Sequence, residues 1–344
     1  MRALVNPGLD PSGVPSPSDE AASFHAGLAG YRPTPVHALP TVAAELGVGA
    51  VMVKDESDRL GLPAFKVLGA SWAIECALRE HPDARMLVAA SAGNHGRAVA
   101  HVAAMRGLAC RVYLPARAVD ARRAAIADEG AQVVVIDGDY EQAVAHAGTA
   151  GAQDGVVEIA DVGDSEPSHR VIDGYATLFA EAAAQAAFDV IVVPVGVGSL
   201  AAAAARFAAP AGVRVIAVEP CSAACLMASL AAGRRTAVPT PGTTMAGLDC
   251  AEVSEAAWPS LRAGIHATVT VDDREAHAAM RELSAAGMAI GDCGAAALAA
   301  LRAAAVEPGC ASLRDIVDWG ASSRILLIAT EGPTDPSAYR DIVS

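Results

Sequence analysis

Apolar runs and helical patterns alternate regularly from about residue 86, and this alternation limits the possible fold more than any other feature of the chain. Strand-like runs occur at 86–90, 109–114, 131–137 and 156–160. Helical patterns lie between them at 97–107, 119–129 and 140–150. Such βαβ repetition predicts a parallel sheet with right-handed crossovers. We therefore expect an α/β protein.

The alternation continues less regularly on both sides of this region. A helical pattern begins at Lys66, and later segments predict one helix at 171–187 and strands at 189–194, 213–219 and 324–329. Residues 1 to about 30 are rich in proline, glycine and serine. We expect that segment to wrap loosely over the surface.

Composition excludes some classes of function. The 344 residues suffice for two domain-sized units, and alanine, valine and leucine must fill the core because only 4% of the residues are aromatic. A net charge of −14 argues against nucleic acid as a partner. Seven scattered cysteines, an odd number, indicate reduced thiols rather than a disulfide framework. We therefore expect a cytoplasmic protein.

Signals for membrane insertion, secretion and metal binding are weak. The N-terminal residues lack the apolar core of a signal peptide. The longest charge-free apolar stretch, 190–205, is shorter than the ~20 residues that a membrane span needs. Cys221 and Cys225 are four positions apart, but no histidine or further cysteine pair lies nearby. We expect no membrane partner and no metal site.

Two turns of small residues each follow an apolar run and open a helix. They are Ser91–Gly96, which reads Ser-Ala-Gly-Asn-His-Gly, and Val195–Ser199. The N-terminus of a helix presents free N–H groups and a positive dipole end, which suit a carboxylate or a phosphate. Lys66 is a lone amine at the start of another helix. One amine and two anion-binding turns suggest an aldehyde cofactor that carries a phosphate.

The second turn also permits a different interpretation. Gly196–Ala201 fits the pattern G-x-G-x-x-A, and Glu219 ends the next strand about 20 residues later. These features would favour an NAD-dependent oxidoreductase. However, that fingerprint normally occupies the first βα turn of its sheet, and several βα units precede it here. A tight connection that binds no ligand is a further alternative.

Taken as an ordered set, the motifs resemble those of fold-type II pyridoxal-phosphate enzymes, the superfamily of tryptophan synthase β and of the threonine and serine dehydratases. The motifs are Lys54–Ser57, Ala64–Lys66, Ser91–Gly96, Gly196–Ser199 and Thr330–Gly332. Within the superfamily, further segments are similar to diaminopropionate ammonia-lyase, namely Val53–Ser57, Gly61–Gly69, Met245–Leu248, Gly291–Gly294 and Thr330–Asp335. The resemblance extends from about Tyr31 to Asp341.

The resemblance implies a specific architecture. Two parallel or mostly parallel α/β/α sheets would form a large and a small domain, with pyridoxal 5′-phosphate in the cleft between them. The large domain would comprise residues 1–82 and 160–344, and the small domain residues 83–159. The relatives also imply a homodimer.

The resemblance assigns roles to individual residues. Lys66 matches the lysine that forms the Schiff base and acts as the base, and Asn94 matches the residue that binds the cofactor's 3′ oxygen. Thr330 matches the hydroxyl that faces the pyridine nitrogen. The loop that holds the phosphate matches Gly196, Val197, Gly198 and Ser199. The loop that holds the substrate carboxylate matches Ser91, Ala92, Gly93, Asn94 and His95, and we expect His95 to orient this loop rather than to transfer protons.

The sequence also departs from the family pattern. Ala92 stands where diaminopropionate ammonia-lyases have an aspartate that acts as a base on one enantiomer. A second family acid would lie in the loop after the strand at 156–160, where Asp161 and Asp164 are candidates; we take Asp161 as the possible catalytic residue. Asp292 and Cys293 replace the usual Glu-Ser pair. These changes predict reduced activity on the D-isomer.

The activity that the resemblance implies is a carbon–nitrogen lyase reaction. The enzyme would eliminate the β-substituent of an amino acid such as 2,3-diaminopropionate, serine or threonine, and release a 2-oxo acid and ammonia. Because the aminoacrylate formed on the way can be trapped by a nucleophile, β-replacement is an alternative. A relative that binds amino acids without turnover is another.

Overall fold

The computed structural model describes residues 2–116 and 118–344. Its strands are β1 (Ala3–Val5), β2 (Val36–Ala38), β3 (Ala50–Asp55), β4 (Met86–Ala90), β5 (Ala109–Pro115), β6 (Gln132–Ile136), β7 (Val156–Glu158), β8 (Val190–Pro194), β9 (Arg214–Pro220), β10 (Ala267–Val271) and β11 (Arg324–Ala329).

The helices connect these strands and cover the sheets. They are α1 (Glu20–Ala26), α2 (Pro40–Leu46), α3 (Lys66–Glu80), α4 (Asn94–Met105), α5 (Asp120–Asp128), α6 (Tyr140–Gly151), α7 (Glu166–Gly174), α8 (Ala176–Gln185), α9 (Ser199–Ala211), α10 (Cys225–Ala232), α11 (Trp258–Gly264), α12 (Asp273–Ala285), α13 (Asp292–Val306), α14 (Ala311–Ile316) and α15 (Pro336–Val343).

The larger sheet has seven strands in the order β1-β10-β9-β8-β11-β3-β2. Its five inner strands are parallel, and the short edge strands β1 and β2 pair antiparallel. Strands β8 and β10 are buried along their whole length, as expected for parallel strands with both faces covered. Alternate residues of β8 contribute to two different hydrophobic clusters, one on each face of the sheet.

The smaller sheet has four parallel strands in the order β6-β5-β4-β7. It is built from the region in which strand and helix patterns alternate most regularly. The predicted α/β fold with two parallel or mostly parallel sheets is therefore confirmed.

Alanine fills much of the core, in agreement with the scarcity of aromatic residues. Residues 201–205 of α9 are all alanine and all buried. A side chain at Gly264 on α11 would lie 2.7 Å from the Ala205 β-carbon. Small residues on both helices thus permit a close approach of their backbones.

A group of buried charges lies beside β3. Lys54 Nζ is 2.6 Å from Glu181 Oε2, and the Arg59 guanidinium donates to both Glu56 and Glu181. All four side chains are at most 5% exposed, and Thr34 Oγ1 donates to Glu56. Two cations and two carboxylates therefore balance one another, and they tie the loop after β3 to α8.

Two expectations about the elements are wrong. The N-terminal segment does not wrap loosely, because β1 pairs with β10 and forms one edge of the large sheet, and His25 is completely buried. The helix predicted at 171–187 is two helices that meet at Tyr175. Gly174, at this break, lies so close to α3 that a β-carbon would be 2.6 Å from the Leu68 carbonyl oxygen.

Among the described residues, no single helix is long and apolar enough to cross a membrane. The segments Asp292–Val306 and Pro308–Ile316 together have the length and the apolar composition of a membrane span, but they are bent by 98° relative to each other.

Candidate active site

The predicted site segments come together at the carboxyl ends of the parallel strands. Ser91–Asn94 follows β4, Gly196–Ser199 follows β8, and Thr330 follows β11, while Lys66 begins α3. Open α/β sheets bind ligands at these strand ends. The structure thus brings together four segments that are far apart in the sequence.

Contacts between the segments close the site. Phe65 N donates to the Thr330 carbonyl oxygen at 3.2 Å, which fixes the start of α3 against the end of β11. Asn94 Nδ2 donates to Glu331 Oε2. On the other side, Ser199 Oγ lies 3.3 Å from the Asp161 carbonyl oxygen. Each cofactor-binding motif is therefore in contact with a neighbouring site segment.

Lys66 lies in a partly enclosed position. Its Nζ is 3.0 Å from Asp161 Oδ2, and the two side chains are 20% and 10% exposed. The rings of Phe65 and Tyr175 lie below the amine, with their centroids 5.5 and 5.9 Å from Nζ. Burial opposes the charged form, but the attraction of nearby acidic groups such as Asp161 outweighs it and raises the pKa of Lys66. Lys66 is therefore an ammonium ion until a ligand changes its surroundings.

Asp161 is the acid that the structure places beside Lys66. Burial would raise its pKa, but His95 and Lys66 lower it further than burial raises it, so Asp161 is a carboxylate. Asp164, the other acid of this loop, is exposed and lies 2.8 Å from His169. Of the two candidates, only Asp161 can act on a group bound to Lys66.

His95 is the one buried side chain of the turn Ser91–His95, which we call the asparagine turn; it is 2% exposed. Its Nε2 donates to the Ile159 carbonyl oxygen at 2.8 Å, and its Nδ1 lies 3.7 Å from Asp161 Oδ2. Burial lowers the pKa of His95, although the nearby Asp161 carboxylate acts in the opposite direction. The Ile159 contact makes Nε2 the protonated nitrogen, and Nδ1 has no hydrogen-bond partner among the described residues.

The turn that follows β8 fits a phosphate. Gly198 has φ +95°, and a β-carbon there would lie 2.5 Å from Leu261 Cδ1. A β-carbon at Gly196 would lie 2.5 Å from the Gly247 carbonyl oxygen. Both positions thus require glycine, and α9 begins at Ser199 without a side-chain cap. The uncapped N–H groups can bind an anion.

Thr330 supplies a buried hydroxyl that has no protein partner. The residue is 5% exposed, and its Oγ1 forms no hydrogen bond with any described residue. Such groups are rare because an unsatisfied hydroxyl costs ~1–3 kcal/mol. A ligand atom that accepts or donates a hydrogen bond there would remove this cost, so Thr330 fits the ring nitrogen of a pyridine.

The asparagine turn borders the same space. Ser91, Ala92 and Asn94 are half-buried and Gly93 is exposed, so the turn is accessible. Ser91 Oγ accepts a hydrogen bond from Gly93 N at 3.2 Å. A β-carbon at Gly96 would lie 2.2 Å from the Ser91 carbonyl oxygen, so this sharp turn depends on glycine.

One group of residues has the types that bind metals. The ligand atoms of Asp292, Cys293 and Glu331 lie within 4.8 Å of one another. Burial raises the pKa of the Cys293 thiol well above its usual value, and a metal would require the thiolate. Glu331 already accepts from Asn94. This set does not suit a metal ion, and the absence of a metal site stays a prediction.

From the sequence, no role was assigned to two residues that lie near the site, Glu331 and Tyr175. Glu331 belongs to a motif that was recognised, but no role was assigned to it. Tyr175 has a completely buried ring against Phe65, with centroids 4.8 Å apart, and its hydroxyl has no hydrogen-bond partner among the described residues. No local signal marks Tyr175, since it interrupts what reads as one continuous helix.

Comparison with known proteins supports the geometry. The sequence pattern of the family described as pyridoxal-phosphate dependent enzyme matches residues 28–317. Diaminopropionate ammonia-lyase of Escherichia coli K12 is 32% identical over 358 residues, which cover 94% of this chain and 90% of the relative. Biosynthetic L-threonine dehydratase of the same strain is 30% identical, over 78% of this chain and 52% of the relative.

Solved structures agree with this result. The crystal structure of E. coli diaminopropionate ammonia-lyase with an aminoacrylate–pyridoxal-phosphate azomethine intermediate matches with a TM-score of 0.90 and 30% identity, and covers 99% of this chain and 96% of that one. Maize serine racemase matches with a TM-score of 0.83 and 25% identity, over 97% and 96% of the two chains.

These likenesses decide between the interpretations that the sequence left open. They confirm pyridoxal phosphate as the cofactor and elimination at a β-substituted amino acid as the class of reaction. The G-x-G-x-x-A pattern therefore does not mark a dinucleotide-binding fold here, and phosphate binding by this turn stays a prediction. The chain is a member of the pyridoxal-phosphate-dependent enzyme family and has the type II fold.

Proposed function

We propose that this protein is an ammonia-lyase that acts on L-2,3-diaminopropionate or a similar amino acid with an amino or hydroxyl group at Cβ. The position of Lys66 carries the proposal. Its amine lies 3.0 Å from the Asp161 carboxylate. The neighbouring segments supply an uncapped helix N-terminus at Ser199 and the Thr330 hydroxyl, which has no partner among the described residues. Relatives that are 32% identical over 94% of the chain are named for diaminopropionate.

The proposed cofactor contacts follow from the chemistry of each group. Lys66 would hold the aldehyde carbon through Nζ, and Asn94 would face the ring oxygen next to it. Thr330 would meet the ring nitrogen, and the turn Gly196–Ser199 would bind the phosphate. When bound, pyridoxal phosphate supplies an electron-accepting ring that makes the Cα proton of an amino acid acidic.

The chain itself moves the protons. The amino group of the substrate would first replace Lys66 Nζ on the aldehyde carbon, which frees Lys66 as a neutral amine. Lys66 Nζ would then take the proton from Cα, and the Asp161 carboxylate would stabilise the resulting ammonium. The same ammonium donates a proton to the departing β-amino group as the Cβ–N bond breaks, which releases ammonia. Water then hydrolyses the remaining three-carbon product to pyruvate and a second ammonia. Asp161 thus keeps Lys66 directed at the substrate through both transfers.

Ala92 supports a preference for the L-isomer. Lys66 and Asp161 lie in contact with each other and would act on one side of the substrate, whereas the separate turn Ser91–Gly96 would face its other side. Alanine at position 92 offers no group that could take a proton on that side. We propose that the protein eliminates ammonia from the L-isomer and does so poorly from the D-isomer.

The test combines a spectrum with a substrate panel. The purified protein should have a visible absorption band that borohydride removes, and Lys66→Ala should lack it. Both enantiomers of diaminopropionate, serine and threonine are then assayed for 2-oxo acid and ammonia. A product that retains an added nucleophile would instead indicate β-replacement. A visible band without turnover on any of these amino acids would contradict the lyase proposal and favour a relative that only binds ligands.

Three features of the whole protein are also proposals. Residues 1–82 with 160–344 and residues 83–159 would form two domains, which is supported by the restriction of the four-stranded sheet to residues 86–158. A cytoplasmic location is supported by the seven cysteines, all of them in the described part of the chain and all free thiols. Homodimer formation would follow the superfamily and can be measured by light scattering.

A further inference from the structure

Glu331 contacts the predicted cofactor-binding residue Asn94 at the candidate site. Its Oε2 accepts a hydrogen bond from Asn94 Nδ2, although 237 positions separate the two residues. Glu331 is 5% exposed. An asparagine amide nitrogen carries two N–H groups, so one remains free for a ligand. The contact therefore occupies only half of the donor capacity of Asn94.

The main chain on either side of Glu331 is firmly held. Glu331 forms an antiparallel bridge with Ala64, and its carbonyl oxygen accepts from Gly291 N at 3.0 Å. Gly332 N donates to the Pro63 carbonyl oxygen at 2.9 Å. A β-carbon at Gly291 would lie 2.6 Å from the Gly332 carbonyl oxygen, so little space is left for movement. The Glu331 side chain thus projects from a rigid segment, which is paired with the residues directly before Lys66.

We propose that Glu331 is a positioning residue whose carboxyl group fixes the Asn94 amide so that its second N–H faces the cofactor's ring oxygen. The inference rests on the proposed function, since Asn94 meets that oxygen only when the cofactor binds as described above. An amide that is already held loses less conformational freedom when the ligand binds than one that rotates freely. Glu331 therefore strengthens cofactor binding without touching the cofactor.

Several groups act on the Glu331 carboxyl group. Burial and, to a smaller extent, the Asp292 carboxylate raise its pKa to about 7. The Cys293 thiol, the Asn94 amide and the more distant Arg122 guanidinium act in the opposite direction. The carboxyl group is thus held by several neighbours, and its amide analogue should occupy the same place.

The experiment measures the affinity of the cofactor-free protein for pyridoxal phosphate by titration of the visible band. Glu331→Ala should weaken cofactor binding by about tenfold, which corresponds to the net free energy of one hydrogen bond. It should also shift the maximum of the visible band. Glu331→Gln keeps an acceptor for Asn94 and should restore both affinity and band. Glu331→Met, which keeps the volume but not the acceptor, should behave like Glu331→Ala and serves if the alanine variant does not fold.

A second comparison tests whether Glu331 acts through Asn94. In an Asn94→Ala background, Glu331→Ala should change the affinity less than twofold, because the positioned group is already absent. Equal affinities for wild type, Glu331→Ala and Glu331→Met would overturn the proposal, and so would a full effect in the Asn94→Ala background. A wild-type protein without a visible band would overturn the proposed function together with this inference, whereas a normal band with silent Glu331 variants would overturn the inference alone.

Discussion

Asp161 Oδ2 lies 3.0 Å from Lys66 Nζ, although 95 positions separate the two residues in the chain. The carboxylate comes from the loop after the small sheet, and the amine comes from the first turn of α3. The contact therefore links the two sheets at the point where proton transfer is proposed to occur.

Replacement of Asp161 by asparagine should reduce turnover strongly. The variant retains the shape of the side chain but removes the charge that stabilises the Lys66 ammonium, and kcat should fall by about 100-fold. Asp164→Asn is the matched control, because Asp164 is exposed and pairs with His169 rather than with Lys66, and it should remain close to wild type. Equal losses in the two variants would argue against the role of Asp161.

Thr330→Val should have opposite effects on the cofactor-free and the cofactor-bound protein. Without cofactor, removal of an unpartnered hydroxyl should raise the free energy of unfolding by ~1 kcal/mol. With saturating pyridoxal phosphate, the variant should be stabilised less than wild type, because the ring nitrogen loses its partner.

Thr268 offers a control for the threonine prediction. It is also completely buried, and its hydroxyl has no partner among the described residues, but it lies on β10. Without cofactor, Thr268→Val should raise the free energy of unfolding by a similar amount. With cofactor, it should be stabilised by the ligand as much as wild type is. Denaturant unfolding with and without cofactor measures both values, and a parallel response of the two variants would disprove the assignment of Thr330.

Cofactor affinity should depend on pH through Glu331. Its pKa is about 7 before the ligand binds, and an electron-rich ring oxygen near Asn94 would disfavour the carboxylate further. Binding then takes up a proton, so it is favoured below pH 7 and weakens as the pH rises above it. The ratio of the dissociation constants of wild type and Glu331→Gln should be constant below about pH 6 and rise by up to tenfold per pH unit above pH 7. A ratio that does not change with pH would contradict this prediction.

The buried charges beside β3 should matter for stability far more than a surface pair. Glu181→Gln leaves Lys54 and Arg59 in the interior with one carboxylate between them, and it should cost ~3–5 kcal/mol. The control is Glu282→Gln, which breaks a pair with Arg302 whose side chains are about one third exposed, and it should cost at most ~1 kcal/mol. Urea unfolding of both variants measures the difference, and similar costs would show that the buried network is not required.

Local motifs account for the parts of the site that were predicted from the sequence. The turns at 91–96 and 196–199, Lys66 and Thr330 each lie at the end of an apolar run or the start of a helix, and those signals are visible in a short window. The alternation at 86–158 likewise predicted a parallel sheet, which the structure contains.

What the sequence could not predict depends on contacts between distant residues. The choice between Asp161 and Asp164 is decided by which one faces Lys66, and the role of Glu331 depends on Asn94. The break at Tyr175 results from the close approach of α3 to Gly174. The edge position of β1 is fixed by pairing with β10, from which it is separated by most of the chain.

The position of β11 has a consequence for the synthesis of the protein. Among the strands of the described residues this one comes last in the sequence, yet it lies between β8 and β3 in the middle of the large sheet. A ribosome-bound chain that lacks residues 324–329 holds two unpaired strand edges, which favour association with chaperones or with other chains. Because Thr330 follows this strand and its carbonyl oxygen holds the start of α3, we expect the cofactor to be captured only after β11 has inserted into the sheet.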